Sequence, residues 1–370
     1  MKADTATVAI TGADGFIGGN LAVRLRELGH TVLPVTRGMP EPEACEALAA
    51  SAIVFHLAGV NSASDPAEFF RGNHDYSTRV ADAIRAAASK PLVVVSSSIK
   101  AVEDTDYGRS KLAGERALLE LGDSVAVSVW RLPNVFGKWA RPNYNSAVAT
   151  FCHNIARGLP VRIDDPAAPL SLLHVDDLID QWVALMASPS PATGLVEPDK
   201  VHTTTVGEAA DTIRAFADRR GEGEVGAVGV GLERALYTTF ISYLPEPAFS
   251  YPLVAHTDPR GSFVEMLKTS ASGQISYFNS PPGVTRGGHY HHAKVEKFLV
   301  VHGRARFRFR HILSGTTHEI VTSAAHPVVV ETVPGWAHDV TNIGEDELVA
   351  VVWANEVFNR GRPDTFAMPL

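Results

Sequence analysis

The spacing of apolar positions changes once along the chain, near residue 250. Over residues 1–135, short apolar runs alternate with helical stretches. Val8-Ala9-Ile10, Thr31 to Thr36, Ile53 to Leu57, Leu92 to Ser96 and Val125 to Trp130 read as strands. Phe16 to Leu28, 76–88 and 107–121 read as the helices between them. Strands that are apolar without alternation are buried on both faces, so the pattern predicts a parallel α/β sheet of the Rossmann type. Thr205-Val206-Gly207-Glu208 predicts a capping box that opens a helix to about Asp218. Residues 219–232 read as a loop, and the Pro-rich stretch 244–252 as a linker. Beyond it, short alternating segments lie between Gly, Pro, Asn and His turns, at 274–279, 296–301, 304–310, 317–321, 328–333 and 348–353. That rhythm predicts a small all-β jelly roll. The division that follows is a nucleotide-binding domain over 1–243, a linker over 244–252 and a β domain over 253–370.

Composition narrows the setting. The chain has 370 residues, more than one ordinary core accommodates, and a net charge of −8. An acidic surface argues against nucleic acid as a partner. No apolar run is long enough to span a bilayer, so no membrane insertion is expected. The two cysteines, Cys45 and Cys152, lie outside metal-type spacing, and the start lacks a secretory h-region; a cytoplasmic setting is the expectation. Nine of the 15 histidines fall from His256 onward, which places unusual chemistry in the last third.

Gly12-x2-Gly15-x2-Gly18 stands between a predicted strand and a predicted helix. In that context the glycines allow a tight turn and close approach of a pyrophosphate to the helix N-terminus, with Phe16 and Ile17 inside the same turn. The next strand ends at Val35-Thr36-Arg37, without the acidic residue that would take a ribose 2′-hydroxyl. A guanidinium there suits a 2′-phosphate, so NADP(H) is the expected cofactor. Tyr107 and Lys111 are four apart and share a helix face. A neighbouring cation is expected to lower the phenol pKa and make Tyr107 a proton donor during hydride transfer. Ser98, at the end of the preceding strand, is the choice to hydrogen-bond the substrate carbonyl, with Ser97 second.

These residues resemble the extended short-chain dehydrogenase/reductase family over roughly residues 6–240. So do His56-Leu57-Ala58-Gly59, Asn73, Arg131-Leu132-Pro133-Asn134-Val135-Phe136-Gly137 and His174-Val175-Asp176-Asp177. The resemblance implies a nucleotide-sugar substrate. It also implies that Leu57, Ala58 and Gly59 line the cofactor and that Asn134 and His174 lie near the sugar nucleotide.

Near the other end, Gly283-x5-His289-x-His291-x4-Glu296-x6-Gly303 is answered by Pro334-Gly335-Trp336-Ala337-His338-x3-Asn342. In a strand, His289 and His291 face one side. With Glu296 and His338 they make three imidazoles and a carboxylate, a set suited to Zn²⁺ or another divalent first-row metal. The alternative is a metal-free barrel with buried, hydrogen-bonded histidines. The pattern resembles the two cupin motifs, departing in having Pro-Gly for Pro-x-Gly and no glycine six positions before Pro334. For a proton-abstracting base, His292, Tyr290 and Lys297 are the candidates.

The union of the two halves resembles, end to end, the CapF/WbjC family of bifunctional capsular-polysaccharide enzymes of UDP-N-acetyl-L-fucosamine synthesis. The stretch Lys138-Trp139 with Arg141-Pro142-Asn143-Tyr144-Asn145-Ser146 carries much of that likeness, as do Arg260-Gly261-Ser262-Phe263 and Trp353-x-Asn355-Glu356-x-Phe358. The resemblance implies C3 epimerisation of a UDP-4-keto-6-deoxy-N-acetylhexosamine in the cupin half. C4 reduction with NADPH would follow in the other half, giving UDP-2-acetamido-2,6-dideoxy-L-talose, in a homodimer. The other readings are a 4-ketoreductase whose cupin is only a structural or dimerisation module, and a non-catalytic cofactor or sugar sensor, which would not need a proton donor.

Overall fold

A computed structural model describes residues 5–249, 254–269, 271–291, 294–312, 314–333, 335–361 and 363–370. Chain contacts divide it into two units, residues 1–213 with 235–244, and residues 214–234 with 245–370.

The first unit is built on strands β1 (Thr7–Thr11), β2 (Thr31–Val35), β3 (Ile53–His56), β4 (Leu92–Ser98) and β5 (Val127–Leu132). A short sheet follows from β6 (Asn134–Phe136) and β7 (Pro169–His174), and β8 (Gly194–Val196) returns to the main sheet. Strand β9 (His202–Thr205) completes the short sheet. The main sheet is six-stranded and parallel, in the order β2-β1-β3-β4-β5-β8. Both faces are covered, as the unalternating strands require. Val8, Ile10 and Phe55 pack on one side with Trp182, and Ala9, Val54 and Val93 on the other with Ile84 and Leu118. Trp182 is fully buried and lies 5.3 Å from Phe55, ring centre to ring centre. Each such burial contributes roughly 1.5–3 kcal/mol. The strand order reverses between β1 and β3, and ligand clefts of open α/β sheets form outside the carboxyl ends at such a point. The helices that matter here are α1 (Phe16–Glu27), α2 (Glu41–Ala49), α3 (Pro66–Phe69), α4 (Tyr76–Ala86), α5 (Asp106–Leu119), α6 (Ala147–Ile155) and α7 (Val175–Met186). The capping box forms: Glu208 N donates to Thr205 Oγ1 and Thr205 N to Glu208 Oε2.

The second unit is a sandwich of two sheets, the jelly-roll arrangement expected from the alternation. One sheet runs β10 (Glu224–Val225), β12 (Gly261–Thr269), β13 (Gly273–Ser280), β20 (Leu348–Ala354), β15 (Glu296–His302), β18 (Val329–Glu331), with β11 (Ala255–Asp258) paired to β12. The other runs β17 (Thr317–Ser323), β16 (Arg304–His311), β19 (Trp336–Asn342), β14 (Thr285–Tyr290), β21 (Phe366–Ala367). Phe278, Phe298, Phe307, Phe309, Leu348 and Val352 fill the space between them. Residues 219–232, read as a loop from their Gly and charge content, hold the strand β10, which hydrogen-bonds parallel to β12 and ties this stretch to the β unit. That pairing is a long-range contact, which local composition does not encode.

Candidate functional site

In the first unit a cleft of about 1390 Å³ opens along the carboxyl ends of β1 to β5. The turn after β1 forms its floor. Gly12 has φ 69°, and a Cβ there would meet Ala58 Cα at 2.9 Å; one on Gly18 would meet the Gly12 carbonyl oxygen at 2.2 Å. Only glycine lets this turn close. No side chain caps the first turn of α1, so its amides remain for an anion. Gly12, Gly15, Phe16, Ile17 and Gly18 all line the cleft, with Leu57, Ala58 and Gly59 opposite and Arg37 at the end of β2. These residues fit a dinucleotide.

A buried relay behind the turn fixes the second wall. Ser77 donates its hydroxyl to Asn73 O at 2.5 Å, so it accepts from His56 Nε2 at 2.9 Å. His56 is 3% exposed, and burial, aided by the Lys111 charge, lowers its pKa to about 3. Being neutral, it accepts at Nδ1 from the Thr11 hydroxyl at 2.9 Å. Thr11 in turn accepts from Leu57 N and Ala58 N, each at 3.2 Å. The relay sets the cofactor-facing backbone from the inside. Asn73 pins the next residues by holding both Val60 N and Val60 O.

Ser98, Tyr107 and Lys111 line the middle of the cleft. Thr105 caps α5 through Gly108 N, which places Tyr107 in its first turn. Phe69 packs edge-on against the Tyr107 ring at 5.7 Å. The expected lowering of the phenol pKa is not what the structure shows. Burial raises it, partly offset by the Ser98 hydroxyl. The reason is where the lysine points: Lys111 Nζ donates to Ser96 O at 2.8 Å. Burial lowers the pKa of that ammonium to about 8, against the pull of Glu115. Ser97, the second choice, also lines the cleft, but its hydroxyl is spent on Glu115, which is 2% exposed and held in a fork by Arg131 at 2.8 and 3.0 Å. Asn134 lines the cleft and donates to Ser171 O at 3.2 Å. His174 does not line it. It is 4% exposed and packs edge-on to Phe136, because β7 turns its side chain into the core.

In the second unit, Gly287 and Gly288 have φ of 97° and 76° and form a bulge between β14 and β19. The bulge re-aims His289, which pairs with His338 across the strands. His291 lies just past the strand end. His289, His291, Glu296 and His338 converge, with one candidate ligand atom from each within 4.8 Å of the others. His291 Nδ1 donates to Asp364 O at 2.6 Å, and its Nε2 lies 3.3 Å from Glu296 Oε2. His338 Nε2 lies 3.6 Å from the same oxygen. Burial raises the Glu296 pKa, but contacts from His291, His338 and the Lys294 ammonium outweigh it and hold the carboxyl well below its usual range. Burial and the two neighbouring imidazoles lower His289 to about 4. Three imidazoles and an ionised carboxylate aimed at one point are a donor set that fits a divalent cation.

Among the base candidates, Lys297 faces outward onto Glu331, as the residue after Glu296 in a strand must. Tyr290 stacks on Phe366 at 5.3 Å. His292 lies outside the described residues, as does Pro334 of the second motif. Lys294, not singled out from sequence, is 8% exposed, with Nζ 3.6 Å from Glu296 Oε1.

Residues 8–194 match the NAD dependent epimerase/dehydratase family, and residues 256–366 match the polysaccharide biosynthesis C-terminal domain. A UDP-2-acetamido-2,6-beta-L-arabino-hexul-4-ose reductase of Pseudomonas aeruginosa is 47% identical over 97% of this chain and 98% of its own. The crystal structure of the capsular polysaccharide assembling protein CapF from Staphylococcus aureus superposes with a TM-score of 0.91, at 39% identity, over 98% of this chain and 100% of that one. A CapF structure with the inhibitor 3-isopropenyl-tropolone gives 0.85 at 37% identity, over 98% and 100%. The chain belongs to the CapF family, in which an NAD-dependent epimerase/dehydratase domain is joined to a polysaccharide biosynthesis C-terminal domain.

Proposed function

We propose that this chain epimerises C3 of a UDP-4-keto-6-deoxy-N-acetylhexosamine in its β unit and then reduces C4 with NADPH in its α/β unit, yielding UDP-2-acetamido-2,6-dideoxy-L-talose. The observation that carries the reading is the convergence of Ser98, Tyr107 and Lys111 in the glycine-turn cleft, on a chain that also gathers three histidines and Glu296. The P. aeruginosa relative bears the name of a hexul-4-ose reductase, which supports the ketone at C4.

NADPH, when bound, supplies the hydride for C4. Ser98 hydrogen-bonds O4, and Tyr107 delivers the proton that makes O4 a hydroxyl. The raised phenol pKa keeps that proton in place through neutral pH. Lys111, anchored on Ser96 O, steadies the cofactor ribose. In the β unit, a divalent ion would be held by His289, His291, Glu296 and His338, and when bound it supplies Lewis acidity toward the C4 carbonyl. A tropolone's adjacent oxygens suit chelation of such an ion, in keeping with the inhibitor found with CapF. The C3 hydrogen is acidic only while C4 is a ketone, so epimerisation comes first and reduction locks the result.

A second reading, a 4-ketoreductase with a purely structural β unit, is favoured by the relative's name, which mentions reduction alone. Product NMR after incubating the 4-keto sugar nucleotide with and without NADPH separates them. The bifunctional reading expects C3 exchange in both incubations and C4 reduction only with NADPH; reduction without C3 exchange upholds the second. Cofactor choice has its own test. Arg37 lies exposed in the cleft at the end of β2, so Arg37→Ser is expected to lower kcat/KM for NADPH by about ten- to hundredfold and leave NADH nearly unchanged. Equal losses with both cofactors would remove the 2′-phosphate role.

A further inference from the structure

The strand order gives the cleft a direction. Arg37 stands beyond β2, the reacting groups stand at β4, and the segment after β6, tied to α1 through Asn20, lines the same cleft. Two aromatic rings there, Trp139 and Tyr144, line the cleft while 59% and 54% exposed. Large rings left this open mark a binding surface more often than a packing one. Each carries a cation on its ring: Lys138 Nζ is 5.4 Å from the Trp139 centre and Arg141 Cζ 5.4 Å from that of Tyr144.

The segment is held from below. Asn20 donates to Lys138 O at 3.2 Å, Lys138 Nζ is paired with Asp176, and the Tyr243 hydroxyl donates to Ala140 O. Trp139 itself has φ 69°, a conformation that costs a non-glycine residue energy and persists only where the surroundings impose it. Among the described residues Arg141 pairs with no carboxylate, so its charge is available to a ligand.

We infer that the segment 138–146 is the nucleotide clamp of the substrate end, with the Trp139 indole stacking on the pyrimidine base and Arg141 pairing with the diphosphate. The inference rests on the cleft being a nucleotide-sugar site and adds which groups recognise the nucleotide. Lys138 covers one face of the indole, leaving the other for the base. Arg141, two residues on, meets the charge that follows the ribose.

Titration of the full chain with uridine, UDP and NADPH, by calorimetry and tryptophan emission, tests this. In the wild-type protein UDP is expected to quench emission. Trp139→Ala is expected to weaken uridine and UDP by about tenfold or more. Trp139→Phe retains stacking, so affinity stays within about threefold while the quench is lost. Arg141→Gln is expected to weaken UDP about tenfold and leave uridine unchanged. NADPH affinity stays constant in all three, which shows that the fold is intact. UDP binding to Trp139→Ala and Arg141→Gln as tightly as to wild type overturns the clamp while leaving the nucleotide-sugar reading standing. A wild-type protein that binds NADPH but not UDP overturns both.

Discussion

Tyr107→Phe is expected to lower the rate of NADPH-dependent reduction by about 10²- to 10⁴-fold, the usual contribution of a positioned proton donor. The substitution removes one oxygen. The ring that packs edge-on against Phe69 stays, and Thr105 still caps the helix that carries it. Stability and NADPH affinity are therefore expected to match wild type, and the loss falls on kcat. The direction of the phenol pKa matters for the pH profile. Because burial raises it, the donor keeps its proton as pH climbs through neutrality. The group that titrates first on the alkaline side is Lys111, whose ammonium loses its proton as pH rises past about 8. A decline of reduction above that pH in wild type marks Lys111, and bound cofactor shifts it according to the contacts it adds. Stopped-flow NADPH oxidation checks the rate; a variant within about tenfold of wild type would take the proton-donor role from Tyr107.

His338→Ala is expected to slow C3 exchange steeply and leave C4 reduction of an already epimerised ketone within a few fold. His338 is 5% exposed and faces Glu296, His289 and His291, so the substitution removes one of the four groups that fit a metal. Lewis acidity at a carbonyl is worth several kcal/mol, so the exchange rate is expected to fall about 10²- to 10⁴-fold. Metal content, measured by plasma mass spectrometry on the purified chain, is expected to fall in parallel. Chelation of the wild-type protein is expected to reproduce the effect, and readdition of the divalent ion to reverse it. Unchanged exchange in a metal-free chain would assign the four residues a structural task.

Much of the N-terminal site is legible in the sequence because its signals are local. Three glycines at fixed spacing, and a tyrosine four residues before a lysine, report geometry within one turn or one helix face. The parts that were not legible depend on contacts between distant segments. Lys111 spends its ammonium on Ser96 O, which spacing along α5 does not reveal, so the phenol pKa moves opposite to the expectation. His174 sits in a family-like stretch, yet β7 directs it against Phe136. The His56 relay joins residues from β1, β3 and α4. In the β unit, the His-x-His spacing located the cluster, but the bulge at Gly287 and Gly288 orients it. Lys297 was within reach of the sequence: strand alternation alone places it opposite Glu296. Lys294 was not, since its approach to Glu296 occurs outside the strand.

The order of events, exchange at C3 ahead of hydride delivery at C4, is tested most directly in the variant that cannot finish. Tyr107→Phe with the 4-keto sugar nucleotide and NADPH in deuterium oxide, followed by proton NMR, should show deuterium entering C3 at the wild-type rate while C4 stays a ketone. Label that enters C3 only when hydride transfer proceeds would contradict the account.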